Sequence, residues 1–166
     1  MTERVTGVVG ADTEIEVRGP LLGMASSCEP ILRALPQWFG IPEATDQYLR
    51  DIEELPTLTA SSGGEVVGFV ALREHTEYAA EIHVMGVRPE LHRSGVGRAL
   101  ICAAESYLHK QGFEYIQVKT LSDQHPDPNY ARTRAFYSAM GFRPLQEFPE
   151  LWGEANPCLQ MIKSLE

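Results

Sequence analysis

The chain has 166 residues, of which 43% are hydrophobic and 22% charged, with a formal net charge of −9. That length suits one domain and buries roughly 70% of the unfolded-chain surface, so no metal or disulfide staple is needed for a core. The composition excludes disordered and collagen-like chains, and the acidic balance argues against nucleic acid as a partner.

No apolar run approaches the ~18 residues of a membrane span, so no membrane partner is expected. The start, MTERVTGVVGADTEIEVRG, carries early acids and no apolar signal core. Cys28, Cys102 and Cys158 are odd in number and widely spaced, without a C-x-x-C pair. Disulfide and zinc frameworks are therefore not expected, no metal is expected, and a reducing cytoplasm is the expected location. The three cysteines read as small apolar fillers.

Residues 1–13 are small and polar with weak periodicity, and read as a loose leader to a domain spanning 14–166. Thr13–Val17 alternates polar and apolar and predicts a strand. Ser27 to about Leu35 predicts a helix with Ser27 as its cap, broken by the segment Pro36–Pro42. A second helix is predicted from about Glu43 to Glu54. Thr57–Ser61, Val66–Arg73 and Glu81–Val87 read as an antiparallel meander, with Gly63 and Gly64 turning the first hairpin. A long helix follows from Gly97 to Gln111, stopped by Gly112. Tyr115–Thr120 predicts a strand, and Asp127-Pro128 opens a last helix that Gly141 ends. Arg143–Phe148 and Pro157–Lys163 read as two final strands. This order predicts a single-domain α/β fold.

The segment Val87-Arg-Pro-Glu-Leu-His-Arg-Ser-Gly-Val-Gly-Arg-Ala-Leu100 carries the chemistry. A strand ends, a polar loop follows, and a helix begins at two glycines. Free N–H groups at a helix start form an anion site, and Gly95 and Gly97 let a phosphate approach the main chain. Arg88, Arg93 and Arg98 oppose the sign of the whole chain. A G-x-G-x-x-G nucleotide loop fails, since Leu100 stands where the third glycine belongs, and no G-x-x-x-x-G-K-[ST] occurs.

The stretch His92-Arg93-Ser94-Gly95-Val96-Gly97 resembles the acyl-CoA signature [QR]-x-x-G-x-[GA] of the GNAT acetyltransferase superfamily, with His92 in place of Gln or Arg. Phe136-Tyr137-Ser-Ala-Met-Gly141-Phe142 is similar to that family's [LF]-Y-x-x-x-G-F helix end. The resemblance covers roughly residues 57–163. It implies a GNAT-like fold, a mixed, mostly antiparallel central sheet flanked by helices, and acetyl-CoA as co-substrate. Pyrophosphate would sit on the segment Arg93–Arg98. The pantetheine arm would pair with the main chain of Met85 and Val87, and an N–H near Val87 would polarise the thioester carbonyl. Tyr130 stands where the family has an asparagine, at the pantetheine.

By the same resemblance, Glu81 is the first candidate for the base that neutralises the amine, and Tyr137 the acid for the leaving thiolate. Glu81 lies six residues before Val87, ~20 Å along a strand, so it would act through water or a bulge. His83 is the second candidate for the base, histidine being the side-chain type most often used for that task near neutral pH. Trp38, Phe39, Tyr48 and Trp152 are candidates for the acceptor pocket. Glu43, Asp46, Asp51, Glu53 and Glu54 read either as an acidic rim for a cationic amine or as a solvated face. The expected activity is acetyl transfer to a primary amine of a small molecule or peptide. A silent acyl-CoA-binding module and a transferase with a longer acyl donor are the alternatives, and family habit leaves room for a homodimer.

Overall fold

A computed structural model describes residues 5–9 and 13–166, with side chains from residue 14 onward. It forms two compact units, one holding the chain up to Arg73 together with His83–Tyr107, the other holding Glu74–Ile82 and Leu108–Glu166.

In the first unit, strands β1 (Val5–Val9), β2 (Thr13–Leu21), β3 (Thr57–Ser62) and β4 (Glu65–Glu74) lie side by side in chain order. The pairs β1–β2, β2–β3 and β3–β4 are antiparallel. Val5–Val9, expected within a loose leader, instead pairs with Thr13–Val17. Alternation within that short, weakly apolar segment was too faint to read alone. The rest of the expected leader lies outside the described residues, except Thr13, which opens β2.

Helix α1 (Ala25–Arg33) begins two residues before the expected start, and Ser27 is not its cap. The Glu53 carboxylate accepts the Ala25 N–H at 3.2 Å, so the helix start is satisfied from the end of α2 (Pro42–Glu54). A cap supplied 28 residues away leaves no local sequence signal. Arg33 reaches Asp46 at 3.0 Å across the two helices. Ile31, Leu32 and Ile52 are fully buried with Phe69 of β4. Burying each such side chain contributes about 1.5–3 kcal/mol.

Strand β5 (Ala79–Val87) gives its first four residues to the second unit and the rest to the first. A single 3-10 turn at Pro89–Leu91 leads to α3 (Val96–Lys110). Gly68 of β4 is where α3 touches down: a Cβ there would stand 2.9 Å from Val96 Cγ1 and 3.1 Å from Leu100 Cδ1. The missing side chain lets the first turn of α3 lie close on the strand.

In the second unit, β5 pairs in parallel with β6 (Tyr115–Leu121), from Ala79–Tyr115 to Ile82–Val118. Antiparallel β8 (Cys158–Ser164) lies beyond β6, and β7 (Arg143–Phe148) beyond β8. Helix α4 (Pro128–Ala139) starts as its sequence predicts: Asp127 Oδ1 accepts the N–H groups of Asn129 at 2.8 Å and Tyr130 at 3.4 Å. Lys163 Nζ donates to the Met140 carbonyl at its other end, 2.6 Å away. The sheet is mixed and mostly antiparallel, flanked by helices, as expected. Among the described residues no helix is long and apolar enough to cross a membrane.

Candidate active site

The turn between β5 and α3 has the geometry of an anion cradle. Leu91 N–H bonds the Arg88 carbonyl at 2.9 Å and His92 N–H that of Pro89 at 3.2 Å, winding the chain tightly. The Ser94 hydroxyl donates to the Leu91 carbonyl. Arg93 and Gly95 then take positive φ, 62° and 95°. Nothing stands within 4 Å of a Cβ built on Gly95, so the main chain there is open. The first bond of the α3 ladder is Ala99 N–H to the Gly95 carbonyl, at 3.0 Å. The N–H groups of Val96, Gly97 and Arg98 therefore take no part in that ladder, and those of Gly97 and Arg98, on residues that are not buried, are available to an anion at the positive end of the helix dipole.

The side chains around this cradle have separate duties. Arg88 is half-buried and held by Glu65 at 2.8 Å. Arg93 and Arg98 are exposed. His92 turns back and donates its Nε2–H to the Val87 carbonyl at 2.8 Å, with the Trp38 indole edge-on at 5.7 Å.

His83 and Met85 are half-buried on the same face of β5. His83 is 21% exposed, and its Nε2 lies 2.8 Å from Asp51 Oδ2. Tyr48 stands edge-on to the imidazole at 5.7 Å, and Phe39 edge-on to Tyr48 at the same distance. Trp38, Phe39 and Tyr48 are thus brought together on the core side of α1 and α2, half-buried. The acids of α2 are partly engaged within the chain. Asp46 pairs with Arg33, Asp51 with His83, and Glu53 caps α1, so three of the five acids hold α2 in place. Glu43, Asp46, Glu53 and Glu54 are all exposed.

Glu81 belongs to the second unit and is 5% exposed, not a solvated strand end. Lys119 Nζ approaches its two oxygens at 3.2 and 2.9 Å, and His75 Nε2 lies 2.5 Å from Oε1. Both carboxylate oxygens are occupied by donors. Tyr137, 7% exposed, packs its ring against Phe136 and Phe142 at 5.3 and 5.5 Å. Burial pushes its phenol above the ordinary range, helped by the nearby Tyr130, so it stays protonated as a donor must. Tyr130 is half-buried in the first turn of α4. Trp152 lies between β7 and β8, 42% exposed.

Cys28 and Cys158 are buried, and desolvation lifts their thiols to about 12 and about 11. A thiol held protonated in this way packs as an apolar filler rather than attacking. Sequence reasoning placed Asp51 among the acids of α2 but missed its pairing with His83. Its acidic helix face gave a signal, but its partner is 32 positions away.

Comparison with known proteins agrees with this architecture. The family model described as the acetyltransferase (GNAT) family matches residues 27–142. An uncharacterized N-acetyltransferase of Chlorobaculum tepidum is 27% identical over 130 residues, covering 72% of this chain and 74% of that one. A GNAT-family acetyltransferase structure from Desulfovibrio desulfuricans superposes with a TM-score of 0.80 at 18% identity, covering 92% and 99% of the two chains. An N-acetyltransferase from Thermoplasma acidophilum in complex with coenzyme A gives 0.69 at 17% identity, covering 90% and 98%. The chain belongs to the acetyltransferase (GNAT) family of enzymes.

Proposed function

We propose that this N-acetyltransferase moves an acetyl group from acetyl-CoA directly to a primary amine of a small molecule or peptide. The observation that carries the reading is the cradle at the start of α3: the N–H groups of Gly97 and Arg98, left out of the helix ladder, next to positive φ at Arg93 and Gly95. That arrangement suits a pyrophosphate, with the exposed Arg93 and Arg98 adding charge. The acetyl thioester would supply an activated acyl carbon and a thiolate leaving group.

The roles of this chain's residues follow from chemistry. The β5–β6 ladder comprises the pairs up to Ile82–Val118, and β5 runs on to Val87. The main chain of Met85 and Val87 is assigned to the pantetheine amides, and an N–H near Val87 to the thioester carbonyl oxygen. The His92 bond to the Val87 carbonyl fixes the orientation of that residue. Tyr130 is assigned to the pantetheine, and Trp38, Phe39, Tyr48 and Trp152 to the acceptor.

A protonated amine cannot attack, so a base must take its proton. Between the two candidates, His83 is favoured. Its imidazole is 21% exposed and shares a strand face with Met85 and Val87, whereas both oxygens of the buried Glu81 are already engaged by Lys119 and His75. Tyr137 is assigned to protonate the departing sulfur.

The test is release of free CoA thiol from acetyl-CoA against a panel of spermidine, glucosamine, lysine methyl ester and an alanyl peptide. Amine-dependent release supports the reading. Binding of acetyl-CoA without amine-dependent release from any of the four returns the chain to a binding module.

A further inference from the structure

The following rests on the assignment of His83 as the base. We propose that Asp51 of α2 is a positioning residue for His83, holding the imidazole as the Nε2–H tautomer so that Nδ1 receives the amine proton. The Asp51 Oδ2 to His83 Nε2 distance is 2.8 Å, and a carboxylate oxygen can only accept there. The nitrogen left without a proton is then Nδ1.

Asp51 is itself fixed. Gln47 Nε2 donates to its other oxygen at 2.9 Å, and the Arg73 guanidinium of β4 stands 3.9 Å from Oδ2. Burial alone would raise this carboxyl. The hydrogen bonds from His83 and Gln47, with the charge of Arg73, outweigh it and leave the group below its ordinary range. It is therefore an anion at neutral pH. The next residue, Ile52, is fully buried, so the helix carrying Asp51 is anchored in the core. Tyr48 closes the imidazole from the side at 5.7 Å. The groups facing the ring are thus Asp51 and Tyr48 from α2, with Arg73 behind the carboxylate.

The ammonium gives one proton to His83 Nδ1, the neutral amine attacks the thioester carbon, the C–N bond forms as the C–S bond breaks, and the second proton of that nitrogen passes to solvent. The sulfur takes the Tyr137 proton, and solvent returns His83 and Tyr137 to their starting states. As Nδ1 gains its proton, the imidazolium charge develops 2.8 Å from an anion already in place.

Two measurements test this. Long-range proton–nitrogen spectra of the histidine side chains, taken above pH 8 without any amine, are expected to show His83 as the Nε2–H tautomer. The Nδ1–H tautomer would overturn the inference. Kinetics with the best amine of the panel supply the second arm. Asp51→Asn is expected to lower kcat/KM by about 10- to 100-fold, part of the ~10²–10⁴ that a general base supplies. The rise in Tm given by acetyl-CoA should be unchanged, and Asp51→Glu should recover part of the rate. In a His83→Gln background, Asp51→Asn should have no further effect, because its action passes through the imidazole. Wild-type rates in Asp51→Asn, with His83→Gln impaired, would overturn the role of Asp51 alone. Wild-type rates in His83→Gln would overturn the base assignment beneath it.

Discussion

The His92 imidazole donates to the carbonyl of Val87 at 2.8 Å, joining the first residue of the anion turn to the last residue of β5. The family signature that this segment resembles carries Gln or Arg at that place, and a histidine Nε2–H can serve as a donor from the same position. Trp38, edge-on to the ring at 5.7 Å, limits its rotation. The turn and the strand end that are assigned to acetyl-CoA are thereby held as one piece.

His92→Ala removes this bond. A hydrogen bond of this kind is worth about 0.5–1.5 kcal/mol net, which corresponds to acetyl-CoA binding weaker by up to about ten-fold. Titration calorimetry reads the change in Kd. His92→Gln retains a donor and should bind within about two-fold of the parent. Equal affinity in His92→Ala would show that the bond does not organise the site.

Tyr137→Phe removes one hydroxyl from a ring already packed between Phe136 and Phe142. Fold and acetyl-CoA affinity should persist while kcat falls at least about ten-fold, within the range of general acid catalysis. Rapid-quench kinetics at saturating acetyl-CoA measure this. Full activity in the folded variant would leave Tyr137 a core residue only.

Glu81→Gln leaves Lys119 and His75 facing an uncharged amide in place of their buried partner. Breaking a buried ion pair is costly, and with Lys119 partly exposed the expected loss is about 1–3 kcal/mol, read as a lower urea midpoint. At temperatures where the variant stays folded, its kcat/KM should fall less than that of His83→Gln. The reverse order would move the base back to Glu81.

Elements with their own local signals were legible in the sequence. Asp127 and Pro128 announced the start of α4, the alternation of Tyr115–Thr120 gave β6, and the glycines of 92–98 marked the turn before α3. What escaped was long-range. The cap of α1 comes from Glu53, and the partner of His83 comes from Asp51, each separated from its target by a full helix or more. A run of acids on a helix face looks the same whether it meets solvent or reaches two neighbours. Gly68 gave no hint either: a glycine inside a strand signals close approach, but not that Val96 and Leu100 are what approaches.

The central claim is that an acetyl group passes from a thioester seated on the segment Arg93–Arg98 to an amine. Mass spectrometry with carbon-13-labelled acetyl-CoA tests it most directly, comparing the parent enzyme with Gly97→Glu, which places bulk and negative charge at the cradle. The parent should place the label on the amine in step with CoA release, and Gly97→Glu should do neither while remaining folded. Label lost to water at the same rate with and without amine, or transfer undiminished in Gly97→Glu, would contradict it.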